Sequence, residues 1–384
     1  MHADFRKRCA AFQRRIADEK IEVVLVQDPD NIYYLSAFWG YLGLQFGRPT
    51  LLVVPRADTC TIITPGMEAE MARNMTWIED VREWTDGVGG EWTTHLDDLL
   101  RRHQNSRIGI EPLKTHPVIV EYLKRVWPRA HRVDITGILA DMRMIKSPGE
   151  IAHMRQAGQV AVAMCEAAAN AIGEGVPEYE VALAGVAAGT RRAAEFLSEE
   201  GPARLFSPVL HDLQIMQTGR DLAMVHRRPT VRRIRQGDPV YLCFCPFTMF
   251  KQLKLGFDRE YFVGRVSDEH ARIYAVALEA QSAALAMIRP GVRAEEVHAA
   301  ALEVYQKAGF GMCYRTGRGI GYSHLERPEF KNGDKTPLQA GMTFGVDGGI
   351  TIPGEFGARV GDSVVVTENG FEYLTPYPKE LRIV

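Results

Sequence analysis

The chain has 384 residues, enough for two domains and a large buried core. Its 46% apolar and 24% charged residues are those of an ordinary globular protein. Lys plus Arg (46) nearly balance Asp plus Glu (48), which speaks against a nucleic-acid partner, and no run reaches the roughly 20 apolar residues a membrane span needs.

The opening Met1-His-Ala-Asp-Phe-Arg-Lys-Arg8 enters an amphipathic helix and lacks the apolar core of a signal peptide, so a cytoplasmic protein is expected. Phe5, Cys9, Phe12 and Ile16 form one stripe and predict a helix over 5–19. Val23–Val26 reads as a short buried strand, and Asp28-Pro-Asp-Asn31 as a helix start. Thr50–Val54 and Thr59–Thr64 read as a hairpin, followed by helix or strand candidates at 92–102, 107–110 and 115–126. Ser147-Pro148 marks another helix start. Beyond it come Ala-rich helical sequence to about 200, a strand-rich stretch at 204–264, and helices at 268–287 and 294–308. The expected division is residues 1–143, a smaller α/β domain, and residues 144–384. Six cysteines are scattered along the chain. Cys243 and Cys245 alternate along a strand, and buried free thiols are the better reading than a two-cysteine metal site.

Three segments carry a resemblance: Thr316-Gly-Arg-Gly-Ile-Gly-Tyr-Ser-His324, Gly341-Met-Thr-Phe-Gly-Val-Asp-Gly-Gly349 and Ile352-Pro-Gly-Glu-Phe-Gly-Ala-Arg-Val-Gly-Asp362. They resemble the creatinase/aminopeptidase P family. That resemblance implies an α+β protein, a smaller N-terminal α/β domain followed by a C-terminal pita-bread domain. Metal-dependent members use two Asp, one His and two Glu; the corresponding positions hold Cys243, Lys254, Arg318, Asp347 and Gly361. An ammonium or guanidinium cannot ligate a divalent ion, so neither metal nor other cofactor is expected.

Gln217-Thr-Gly, His226 and Gly237-Asp238 are similar to the creatinase branch of the family, whose catalytic His maps onto His226. A His is also the side chain best suited to proton transfer near neutral pH. Phe257–Phe262 matches with a two-residue insertion, placing Asp258 where the family has a substrate-binding Glu, with Arg259 beside it. Asp347 replaces a second such Glu, each acid shorter by one methylene, about 1.5 Å. Phe46-Gly-Arg48 is similar to the segment with which a neighbouring subunit closes the pocket on a substrate carboxylate, which implies a homodimer. Arg327 lies near another carboxylate-binding Arg, and His324 lies one residue before the family's second glycine-loop His. Lys254 and Arg318 either replace metal charge or bind an acidic group of the substrate.

The resulting expectation is a metal-independent, creatinase-like hydrolase of a C–N bond in a small carboxylate-bearing amidine or guanidine. His226, Asp258 and Asp347 would be catalytic, and Phe46, Arg48, Lys254, Arg259, Arg318, His324 and Arg327 would bind substrate. Hydrolysis of an ectoine-type cyclic amidine and a non-catalytic binding role are the alternatives.

Overall fold

The computed structural model describes residues 2–45, 47–103, 106–199, 205–209, 215–244, 249–311 and 315–384. The chain divides into two compact units, Met1–Met142 and Arg143–Val384.

In the first unit the hydrophobic runs form six strands: β1 (Val23–Val26), β2 (Leu51–Pro55), β3 (Thr61–Pro65), β4 (Asp80–Trp84), β5 (Arg107–Ile110) and β6 (His131–Asp134). Their order in the sheet is β4-β3-β2-β1-β5-β6. The expected hairpin is present, with β2 antiparallel to β3 and Leu51 opposite Ile63. Alternate residues of these strands, among them Val23, Leu25, Leu51, Val53 and Ile63, meet Trp92, Leu96, Leu100, Ile119 and Leu123 from the helices Glu91–Leu100 and Pro117–Val126. The intervening residues, among them Val24, Val26, Leu52, Val54 and Ile62, are buried as well, so these strands are covered on both faces and read as unbroken apolar runs. The N-terminal helix runs Ala3–Asp18 and buries Cys9, Phe12 and Ile16.

The second unit begins with a helix, Pro148–Ala171, whose start is chemically explicit. Ser147 Oγ accepts from the Glu150 amide at 3.3 Å, and Glu150 returns the bond to the Ser147 amide at 2.7 Å. This capping box, with Pro at the first turn, satisfies amides that a helix end otherwise leaves bare. Replacing Ser147 by Ala is expected to cost about 1 kcal/mol, read as a urea midpoint shift at unchanged slope. An unchanged midpoint would show that the cap contributes nothing.

This helix packs on Glu178–Glu199, and Asp268–Met287 packs on Ala294–Lys307. Between and after the two helix pairs lie the strands β7 (Ile215–Thr218), β8 (Pro239–Cys243), β9 (Met249–Phe250), β10 (Leu253–Lys254), β11 (Asp258–Phe262), β12 (Gly317–Gly319), β13 (Glu326–Phe330), β14 (Thr343–Ile352), β15 (Phe356–Val366), β16 (Phe371–Tyr373) and β17 (Arg382–Ile383). The main sheet has the order β13-β12-β14-β15-β11-β8-β7, with β16 added on β15 and β17 on β11. β9 and β10 form a separate ribbon.

Two glycines let other backbone approach the main elements closely. A Cβ at Gly158 would lie 1.7 Å from the Leu374 carbonyl oxygen, and one at Gly348 would lie 2.2 Å from that of Ala277. Any side chain there would drive strand and helix apart. No helix among the described residues is long and apolar enough to cross a membrane.

Candidate active site

Strand register brings the expected positions together. Asp258 stands opposite Cys243 on one side and Gly361 on the other, and Asp347 stands opposite Gly361. Cross-strand partners share a face of the sheet, so Cys243, Asp258, Gly361 and Asp347 form one row across β8, β11, β15 and β14. Arg318 lies one pleat along, opposite Gly345. A Cβ at position 361 would lie 2.7 Å from Asp258 Oδ2 and 2.9 Å from Asp347 Oδ1. The two carboxylates therefore occupy the space that a side chain at 361 would need.

Arg318 anchors the other end of this row. Its Nη1 donates to Asp347 Oδ2 at 2.5 Å, and its Nε donates to the His324 carbonyl at 3.2 Å. Its Nη2 meets His324 Nε2 at 2.9 Å. Because a guanidinium only donates, His324 must accept through Nε2 and carry its proton on Nδ1. Burial, then the charges of Arg318, Arg315 and Lys254, push the His324 pKa down to about 2, so the ring stays neutral. Lys254 Nζ donates to the Tyr322 carbonyl, and its amide donates to Gly321 O at 2.7 Å. Lys254 and Arg318 thus both face the glycine loop 319–324. Burial, then the neighbouring charge of Asp347, raises the Asp258 pKa to about 6, against hydrogen bonds from Cys243 and Tyr241 and the charge of Arg318. Asp347 Oδ1 is buried without a hydrogen-bond partner.

The loop is itself held from below. Glu326 accepts from Arg143 Nη2 at 2.5 Å and Lys146 Nζ at 2.7 Å, with all three side chains buried. Arg143 Nη2 also donates to Ser323 Oγ at 2.5 Å. Burial would raise the Glu326 pKa, but the two cations dominate and hold it down to about 2.

Arg259 does not join this row. Arg259 alternates to the opposite face of β11, where Nη2 donates to Asp362 Oδ1 at 2.6 Å and Tyr377 O at 2.7 Å. Its Nε donates to Pro378 O at 2.7 Å, and Nη1 to Asp258 O and Gly361 O. It is a buried brace for the sheet, which corrects its expected role in binding substrate. Arg327 is exposed, and its charge acts on Asp334. In the first unit Arg48 pairs with Asp86 and donates to Met67 Sδ at 3.4 Å. Phe46 and Cys245 lie outside the described residues, while Cys243 is a buried thiol that hydrogen-bonds Asp258. His226 is exposed on a turn just after a short 3-10 helix, Gly219–Ala223.

Two contributors were missed in the sequence. Tyr241 donates to Asp258 from the same strand as Cys243, and the two-residue spacing was the available signal. Glu326 lies in the strand run after His324, where nothing in the sequence pairs it with Arg143 and Lys146.

Comparison with known proteins places this architecture. Residues 152–368 match the model of metallopeptidase family M24, and residues 8–145 match the creatinase/prolidase N-terminal domain. The chain belongs to family M24. Its α+β fold, with an N-terminal creatinase-type domain before a pita-bread domain, is the one expected. Agropine synthesis cyclase of Rhizobium rhizogenes is 32% identical, aligned over 97% of this chain and 96% of its own length. The Xaa-Pro dipeptidase of Lactobacillus helveticus is 29% identical, over 97% of each chain. Among solved structures, a prolidase from Thermococcus sibiricus superimposes with a TM-score of 0.85 at 25% identity, covering 99% of both chains.

These matches overturn the expected metal-independent, creatinase-like amidinohydrolase. The matching family is one of metallopeptidases, and the dipeptidase relatives are named for peptide hydrolysis, not for amidine or guanidine cleavage. M24 membership implies metal ions, and the donor set of this chain can be tested against them. Arg318 directs a guanidinium at Asp347 and occupies the Nε2 lone pair of His324. Gly361 supplies no donor, and among the described residues no three His, Cys, Asp or Glu side chains gather in a metal-binding group. The residues present do not fit a pair of divalent ions.

Proposed function

We propose that this M24 member is a hydrolase acting at the acyl carbon of a small amide of peptide type, one that carries a free carboxylate. The observation that carries the reading is the buried row Asp258–Gly361–Asp347 beside Arg318, a fixed positive charge next to two acids of unequal environment. A preorganised cation in a dry site stabilises the oxyanion that forms when a nucleophile adds to a carbonyl. An acid with a pKa of about 6 can give up a proton and recover it near neutral pH. In this scheme water adds to the acyl carbon and loses its proton to His226. The C–N bond then breaks as Asp258 protonates the leaving nitrogen. Both groups return to their starting states by exchange with solvent.

The similarity to a cyclase favours one variant. If a hydroxyl or amine of the substrate, in place of water, attacks the same acyl carbon, the site closes a ring with the same proton transfers. Isotope labelling separates the two. We expect that incubation with Xaa-Pro dipeptides and other small carboxylate-bearing amides in ¹⁸O-water yields an acid product carrying one ¹⁸O. A lighter product without label would assign ring closure, and no change in any amide would overturn the acyl reading. Replacing His226 by Ala should slow the reaction on the accepted amide by about 10²–10⁴-fold. A loss below threefold would remove His226 from the scheme.

A further inference from the structure

His226 is exposed, yet the turn that carries it is gripped from the interior on both flanks. Gln217, fully buried on β7, donates through Nε2 to the carbonyl of Val225 at 3.3 Å and to that of Arg227 at 2.7 Å. These are the carbonyls immediately before and after His226. The Met216 amide adds a bond to Arg227 O at 3.2 Å. The side chain of Arg227 turns inward, where Nη1 and Nη2 reach Glu178 Oε2 at 2.8 Å and Oε1 at 2.6 Å. Glu178 opens the helix Glu178–Glu199 and has no exposed surface. It also accepts from Thr218 Oγ1 at 2.5 Å, and from the Thr230 amide and hydroxyl at 2.8 Å each.

Five donors therefore converge on one buried carboxylate beneath one exposed imidazole. A buried ion pair contributes little net stability compared with apolar packing of the same volume. What such a network does supply is a single backbone geometry, the kind of support a proton-transferring side chain needs. We propose that Glu178 and Gln217 are positioning residues for His226, acting through the Arg227 side chain and the carbonyls of Val225 and Arg227. The proposal rests on the reading of His226 given above.

Glu178→Gln, His226→Asn and their double variant test it on the amide that the labelling screen accepts. We expect Glu178→Gln to lower kcat by about 10²-fold with KM nearly unchanged, since misplacement of a reacting group acts on turnover. The double variant should be no slower than His226→Asn alone. Amide hydrogen exchange over residues 215–230 should accelerate in Glu178→Gln, while the helix Asp268–Met287 is unaffected. Arg227→Lys keeps the charge and loses the bidentate grip, and should fall between wild type and Glu178→Gln. It also serves if the Gln variant fails to fold. A Glu178→Gln enzyme within threefold of wild-type kcat, beside a slow His226→Asn, would overturn the proposal. So would a double variant much slower than His226→Asn, or unchanged exchange over 215–230. Full activity of His226→Asn would instead sink the reading of His226, leaving the exchange measurement to decide whether the turn is clamped at all.

Discussion

Replacing Arg318 by Met is expected to abolish activity and lower stability by about 3–5 kcal/mol, the usual consequence of stranding one charge of a buried pair. Arg318 and Asp347 side chains are 6% and 14% exposed, so solvent relieves little of the loss. The Met variant leaves the Asp347 carboxylate without its bond from Arg318, in a row that already contains Asp258. Urea unfolding would show the loss as a lower midpoint at constant slope. The double variant Arg318→Met, Asp347→Leu should regain most of the stability and none of the activity, because an apolar pair avoids the uncompensated charge. A single variant within 1 kcal/mol of wild type would mean that the pair is not buried as described.

The second large effect concerns Asp258, whose stability and function are expected to oppose each other. Its pKa rises from an ordinary 3.8 to about 6 in the folded chain, first through burial and then through the charge of Asp347. The folded chain thus holds this proton more tightly than the unfolded chain does. The resulting stabilisation is complete below about pH 4 and is lost as pH rises through 6, a swing of about 3 kcal/mol. Asp258→Asn carries no charge to bury and still accepts from Cys243 and Tyr241. It should therefore be more stable than wild type at pH 8, by up to about 3 kcal/mol, with the advantage vanishing below pH 4. Turnover should fall by about 10²–10⁴-fold, as expected on removal of a general acid. Thermal melts across pH 4–8 decide the first half, and an Asn variant that is less stable at every pH would refute it. The wild-type rate should also fall as pH rises above 6 and Asp258 loses its proton.

Much of the fold was legible because it is written in local patterns. The periodic stripe of Phe5, Cys9, Phe12 and Ile16, the hairpin at 50–64 and the Ser147-Pro148 helix start each depend on neighbours within a few residues. The helix Asp268–Met287 followed its apolar period to both ends. The row of Cys243, Asp258, Gly361 and Asp347 was legible only through the family's motifs, since these residues come from four strands and no periodicity relates them. Arg259 shows where motif transfer fails. Adjacent residues in a strand face opposite sides, so placing Asp258 in the site necessarily directed Arg259 away from it. The substrate class was misjudged for a related reason. Matching Asp for Glu and His for His described which residues remained, whereas the proposed reaction turns on the charge arrangement around Arg318. Glu178 and Glu326 escaped notice because a carboxylate followed by polar sequence looks solvated until tertiary structure brings an arginine to it.

The crowding above Gly361 also bears on how such a site can change over generations. A carboxylate restored at 361 alone would push a third acid between Asp258 and Asp347, while Arg318 still faced the row. An imidazole at 318 alone would remove the guanidinium bonded to Asp347. Either step taken singly, at 361 or at 318, leaves uncompensated charge in the buried row. Gly361 and Arg318 are thus expected to tolerate change together better than singly, a coupling that a double-mutant cycle would read as non-additive stability.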